Sequence, residues 1–229
     1  MCHDSCIDFG KSALTADVIT NKNVVEVGSA NHNGTLKQYV QEYNPKTYLG
    51  IDIQSAPGVD QICKAEEMTA TFGANRFDLI VCTEVMEHVQ DWKLAIKNFK
   101  NVLVGGGKIM ITTRSKGFAY HGSPYDFWRY EIADMQAIFS DFTIDKLIAD
   151  PTEPGIFLLA TKPADFKEND LSSYRLYSIM KRRNIIDSAS VVPTRFDIQL
   201  NKSVTKVRTE VGAFLPRAFK SYVKKLMYG

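Results

Sequence analysis

An α/β fold with a mainly parallel sheet, helices on both faces and an antiparallel hairpin at its end is what this 229-residue sequence predicts. Three observations carry the expectation. From residue 24 onward, apolar strand-like runs alternate with helix-like segments, the pattern of a sheet built from crossover units. The first such unit, residues 24–43, reads as strand, turn and helix. Near its end, two apolar runs are separated only by Pro151, Thr152, Glu153 and Pro154. A connection that short closes a hairpin, because a parallel crossover needs about a dozen residues or more.

The elements follow in order. "NVVEVG" is the first strand, and "GTLKQYVQEY" places Leu36, Tyr39, Val40 and Tyr43 at helical spacing. "TYLGIDI", "VDQIC", "FDLIVCT" and "GKIMITT" supply the second to fifth strands. Between the last two, Trp92, Ala95, Ile96, Phe99 and Leu103 form a helical stripe expected in the core, and the run Gly105-Gly106-Gly107 is expected to stop that helix. A helix around Ile132 to Phe139 precedes the hairpin strands "FTIDKLIAD" and "GIFLLATK", which makes seven strands. "KPADFKEND" reads as a linker. The division expected is an N-terminal segment 1–20, a ligand-binding domain 21–162 and a basic C-terminal extension 163–229.

Composition narrows the functional classes. With 45% hydrophobic and 24% charged residues the chain is globular. It shows no apolar run of the roughly 20 residues a membrane span requires and no signal-peptide pattern, so a cytoplasmic location is expected. Cys63 and Cys82 fall in apolar strand-like runs, and no disulfide is expected. Cys2, His3 and Cys6 lack a second ligand pair at finger spacing, so they read as an incidental mobile end rather than a metal site. Residues 1–170 hold 16 Lys+Arg against 23 Asp+Glu, whereas residues 171–229 hold 12 against 3. An acidic body disfavours a nucleic-acid footprint.

In an open parallel sheet, ligands lie beyond the carboxyl ends of the strands where strand order reverses. The turn in "VVEVGSANHNG" sits there, with Glu26, Gly28 and Gly34 but few other glycines. A nucleoside triphosphate would want the lysine and hydroxyl of a phosphate loop, which are absent. A dinucleotide would want two further glycines where Ala30 and His32 or Asn33 stand, which disfavours NAD without removing it. S-adenosylmethionine carries no phosphate, and needs only the tight turn and polar partners for ribose, adenine and ammonium. Asp52, at the end of "GIDI", suits the two ribose hydroxyls; its plainer role is a strand-end cap, and that of Glu26 a solvent-facing carboxylate.

Together, "VVEVGSANHNG", "YLGIDIQSAPGVD", "FDLIVCTEVMEHVQDW" and "GGGKIMITTRSKGFAYHGSPYDFWRY" resemble the successive motifs of class I S-adenosylmethionine-dependent methyltransferases, methyltransferase type 11-like proteins in particular. The resemblance spans about residues 20–162 and implies a Rossmann-like methyltransferase fold. It implies that Glu26, Gly28, Ser29 and Ala30 border the methionine end of the cofactor, that Asp52 and Ile53 hold ribose and adenine, and that Ala65 and Glu66 flank the adenine. It also sets Thr83, Glu84 and His88 beside the cofactor, with Glu87 in a packed helix start. Lys64 stands where such proteins often carry an acid.

On the acceptor side, "RSKGFAYHGSPYDFWRY" concentrates His121, Tyr125, Asp126, Trp128 and Arg129 and reads as a lid. His121, with an unperturbed pKa of about 6.5, is the candidate general base, and a loop brace is its alternative role. Asp126 is the second candidate catalytic group. No metal is expected. The mixture suits a small polar or glycan-linked acceptor methylated on oxygen, and a nucleobase stacked on Trp128 stays open. So do a non-catalytic scaffold that keeps the fold and an NAD-dependent enzyme. Finally, "FLPRAFKSYVKKLMYG" is a basic amphipathic helix suited either to an anionic membrane surface or to packing on the protein or a partner copy.

Overall fold

The structure is a computed structural model that describes residues 4–31, 34–122 and 124–214, with side chains described to residue 206. The strands are β1 (Asn23–Val27), β2 (Thr47–Asp52), β3 (Gln61–Ile62), β4 (Phe77–Thr83), β5 (Leu103–Arg114), β6 (Trp128–Arg129), β7 (Thr143–Ala149), β8 (Gly155–Thr161), β9 (Leu176–Ser178) and β10 (Arg183–Ile185). The helices are α1 (Asp4–Ala13), α2 (Ala16–Ile19), α3 (Lys37–Glu42), α4 (Met68–Phe72), α5 (Trp92–Val102), α6 (Ile132–Ile138) and α7 (Arg195–Phe214).

Seven strands form one sheet in the order β3-β2-β1-β4-β5-β8-β7. The first five run parallel, while β8 is antiparallel to both β5 and β7, so the expected hairpin closes the sheet. Strand order reverses between β1 and β4, which puts a crevice at their carboxyl ends. β4 is buried along nearly its whole length, as a central strand covered on both faces must be.

Each face of the sheet has its own apolar layer. The predicted stripe Trp92, Ala95, Ile96 and Phe99 is buried and fills one layer. The other is closed by α1 to α3, through Cys6, Phe9, Leu14, Leu36 and Val40. The N-terminal segment is therefore a packed helix: Cys6 is buried at the sheet and does not belong to a mobile end. Cys6, Cys63 and Cys82 are buried, and among the described residues no disulfide joins them.

Two sequence expectations change in detail. The helix α5 ends at Val102, before the glycines, and Gly105 to Gly107 lie inside β5, where the register with β4 shifts. The segment after Lys162 is irregular in backbone yet anchored. Lys100, buried beneath α6, reaches the carboxylate of Asp141 and Asn169 Oδ1, and Phe166 packs on Phe142. Leu176, Met180 and Val191 enter the main core. β6, β9 and β10 make a second, antiparallel sheet that ties the loop after β5 to this segment. Among the described residues no helix is long and apolar enough to cross a membrane. The basic amphipathic stretch 215–229 lies outside the described residues.

Candidate functional site

β1 ends in a turn that only glycine can make as drawn. Gly28 has φ +75, and a Cβ there would stand 2.1 Å from Val85 Cγ2, beyond the end of β4. The amides of Gly28 and Ser29 both donate to the Ile51 carbonyl at the end of β2, at 2.8 and 3.0 Å. The Ala30 amide donates to Asp52 Oδ2 at 3.3 Å, and Gln54 N–H to Asp52 Oδ1 at 3.3 Å. The turn and Asp52 are thus held side by side, with Asp52 both capping the strand end and presenting acceptor oxygens. Ile53 follows with 60% of its surface exposed, an apolar platform next to a carboxylate. Gly34 has φ +106 with no atom within 4 Å of a built Cβ, so its requirement is conformational alone.

Ser29 Oγ is buried without a hydrogen-bond partner, an atom that a bound polar group would satisfy. Ala65 is buried in the short turn Ala65–Glu67, and Glu66 beside it is half-buried, its carboxyl raised by burial. Lys64 points away into an exposed pair with Glu67 at 3.1 Å. A paired acceptor at Asp52, an apolar face at Ile53 and an unpaired hydroxyl at Ser29 fit a nucleoside joined to an amino acid. No phosphate loop is present.

Three predicted residues sit differently from their expected roles. Glu26 does not face solvent: it is buried, accepts from the Tyr48 hydroxyl, and receives the Thr35 hydroxyl at 3.3 Å on both oxygens. Burial outweighs these partners and the nearby Lys37, and raises its pKa to about 7. Glu84, expected beside the cofactor, is turned into the protein. It pairs with Arg114, accepts from Thr112 at 3.1 Å and from the Cys6 thiol at 3.5 Å. Burial and the neighbouring Glu87 carry its pKa up to about 7 against the pull of Arg114. Asp126, expected as a catalytic group, is wholly buried and accepts two bonds from Arg129, at 2.5 and 2.6 Å.

Asp126 acts on the site through His121. It accepts the His121 backbone N–H at 3.0 Å and lies 2.9 Å from His121 Nδ1. On the other side of the ring, His121 Nε2 is 3.6 Å from Glu87 Oε1. Burial alone would lower the His121 pKa, but the two carboxylates outweigh it and raise it to about 9. At neutral pH the ring is therefore protonated, and the free base expected from the sequence is the minor form. Glu87 is wholly buried; burial opposes its ionisation, yet His121 and His88 hold it near 2. Its Oε2 accepts from Thr113 at 2.8 Å, while Oε1 has no hydrogen-bond donor. His88, half-buried, donates from Nδ1 to the Tyr125 carbonyl at 2.6 Å. Its ring centroid stands 4.8 Å from that of His121.

Trp128 is no stacking platform: it is wholly buried and donates to the carbonyls of Val89 and Gln90 at 2.9 and 3.1 Å. The loop expected as a lid is fastened from beneath, with Phe127 N–H on the Glu87 carbonyl at 2.7 Å and Arg129 on the Phe118 and Ala119 carbonyls. Sequence reasoning missed Arg114, which is fully buried between Glu84 and Asp150 under the Phe118 ring. The available signal was a cation ending an apolar strand.

Comparison with known proteins agrees with this fold. A family model described as a methyltransferase domain matches residues 5–149. The chain belongs to the class I S-adenosylmethionine-dependent methyltransferases. The match begins inside α1, so the helix that buries Cys6 lies within the family's domain. Among solved structures, the 1,6-didemethyltoxoflavin-N1-methyltransferase of Burkholderia thailandensis, with its substrate and S-adenosylhomocysteine bound, superposes with a TM-score of 0.57. It is 13% identical, over 69% of this chain and 78% of that one. A methyltransferase from Aquifex aeolicus gives 0.52 at 15% identity, over 69% and 90%. These likenesses concern the fold. Among curated sequences, the ubiquinone biosynthesis O-methyltransferase of Idiomarina loihiensis is 28% identical over 113 residues, and that of Coxiella burnetii 42% over 48. The aligned parts span 45% and 20% of those proteins' lengths.

Proposed function

We propose that this protein transfers the methyl group of S-adenosylmethionine to an oxygen of a small polar acceptor, free or glycan-linked, at the Glu87–His88–His121 cluster. The observation that carries the reading is Glu87 Oε1, buried, without a donor and 3.6 Å from His121 Nε2. That gap lies between a hydrogen-bond acceptor and a donor, as an incoming hydroxyl requires. In the transfer, an acceptor lone pair forms the new bond to the methyl carbon. The carbon–sulfur bond breaks, its electrons staying on sulfur, and the hydroxyl proton passes to Nε2 of His121 in its minor neutral form, which Glu87 and Asp126 then stabilise as the imidazolium. Alignment supplies most of the rate for such an in-line displacement. The name of the curated relatives supports oxygen as the atom methylated.

Ser29, Ala30, Asp52, Ile53, Ala65 and Glu66 would hold the cofactor, while Glu26 and Glu84 shape its floor from below. Asp126 and Arg129 position His121. The test is formation of S-adenosylhomocysteine over a panel of hydroxylated acceptors. His121→Ala is expected to lower turnover about 10²- to 10⁴-fold with cofactor affinity unchanged. A protein that binds S-adenosylmethionine but turns over no acceptor would instead be a scaffold on this fold, and calorimetric binding of NAD in its place would select the dehydrogenase reading.

A further inference from the structure

The same cluster has the composition and spacing of a metal centre. One ligand atom from each of Glu87, His88 and His121 lies within 4.8 Å of the other two. Ligands on one tetrahedral ion with bonds of about 2.0–2.2 Å stand roughly 3–3.5 Å apart. Closure by up to about 1.3–1.8 Å is thus needed at the widest pair, and both imidazoles are half-buried rather than fully packed. We infer that Glu87 Oε1, His88 Nε2 and His121 Nε2 bind one divalent first-row transition ion.

Four features set these atoms apart from a chance grouping. His88 Nδ1 donates to the Tyr125 carbonyl at 2.6 Å, which fixes its tautomer and leaves Nε2 with its lone pair. His121 Nδ1 faces Asp126 at 2.9 Å, so the proton a metal ion displaces from this imidazolium is the one on Nε2, on the Glu87 side. A metal-bound histidine almost always gives its other ring nitrogen to a carbonyl or a carboxylate; here His88 Nδ1 bonds a carbonyl and His121 Nδ1 stands 2.9 Å from a carboxylate. Thr113 occupies Glu87 Oε2 at 2.8 Å, so Oε1 alone is left to bind. Finally, Asp126 is itself clamped by Arg129, so this outer shell is rigid. Glu84, the other carboxylate at the end of β4, is committed to Arg114 and stays out of the ligand set.

Two imidazoles and one carboxylate favour manganese, iron, cobalt or zinc over magnesium or calcium, which prefer all-oxygen shells. Three protein ligands leave a position open on the exposed side of the rings, as catalytic rather than structural centres do. An acceptor oxygen could take that position and be polarised there. The inference shares its location with the proposed acceptor site but not its evidence, and metal binding can be read with neither cofactor nor acceptor present.

The experiment is titration of Co²⁺ into the metal-free full chain without S-adenosylmethionine, followed by its visible d–d absorption. One equivalent is expected, with no thiolate charge-transfer band. His121→Ala and, separately, His88→Gln should abolish that absorption while circular dichroism shows each variant folded. Asp126→Asn should weaken binding about 10- to 100-fold. If the wild-type chain takes up no stoichiometric Co²⁺, the inference is overturned. Binding that survives in folded His88→Gln, or that carries a thiolate band, overturns it equally. Because His88 makes only a carbonyl contact beyond its ring neighbour, that variant keeps the test decisive even if His121→Ala fails to fold. S-adenosylmethionine affinity, measured separately without metal, reports on the methyltransferase reading alone.

Discussion

At the residue scale the site depends on charges that cannot reach water. Arg114 joins Glu84 to Asp150 with no exposed surface on any of the three side chains beyond a trace. Removing the cation leaves the buried Glu84 without its counter-ion, so Arg114→Ala should cost about 3–5 kcal/mol in urea unfolding. The double variant Arg114→Met, Glu84→Gln should recover much of that loss. Gly28 is constrained twice, by φ +75 and by the 2.1 Å approach to Val85. Gly28→Ala should therefore destabilise the turn, and Val85→Ala, added to it, should restore only the steric part. Glu26 offers a pH signature. Its folded pKa, raised to about 7, lies above an unfolded value of roughly 4.3, so its share of stability is present below that value and is lost as pH rises through 7. Relative to Glu26→Gln, the wild-type protein should lose about 1–3 kcal/mol between pH 5 and 8, each pKa unit being worth about 1.4 kcal/mol. Parallel unfolding curves for the two proteins across that range would contradict the assignment.

At the scale of elements, what the sequence made legible was what periodicity encodes. The seven strands of the main sheet, the stripe on α5 and the closing hairpin all follow from apolar spacing and from one four-residue connection. The tight turn was legible too, since Gly28 and Asp52 stand at the ends of β1 and β2. Burial of polar groups was not. Asp126, Trp128 and Arg129 look like ligand contacts in a string of letters, but Trp128 and Arg129 pair with β9, Arg129 in turn clamps Asp126, and β9 is three residues long with no periodic signal. For the same reason the segment after Lys162 read as a linker, because its hold on the body comes from single contacts such as Lys100 with Asp141 and Asn169. A chain truncated after Lys162 should therefore lose cooperative thermal unfolding, whereas one truncated after Phe214 should retain it. A truncation at 162 that melts like the full protein would return that segment to the status of a linker.

At the scale of the whole molecule, strand order reverses between β1 and β4, and the segments after β4 and β5 bring Glu87, His88 and His121 together. The acidic body and the basic C-terminal residues add an electrostatic division whose purpose is open to measurement. Attachment of residues 215–229 to an anionic surface predicts that the full chain sediments with anionic liposomes in low salt and a chain ending at residue 214 does not. Equal behaviour of the two would leave packing within the protein or against a second copy. The central claim is that Asp52 and the Gly28–Ala30 turn form an S-adenosylmethionine site. Calorimetric titration of the cofactor into the wild-type protein and into Asp52→Ala tests it most directly. The account predicts one site per chain, weakened in the variant by about 1.5–3 kcal/mol with the fold intact, and an unchanged affinity in folded Asp52→Ala would contradict it.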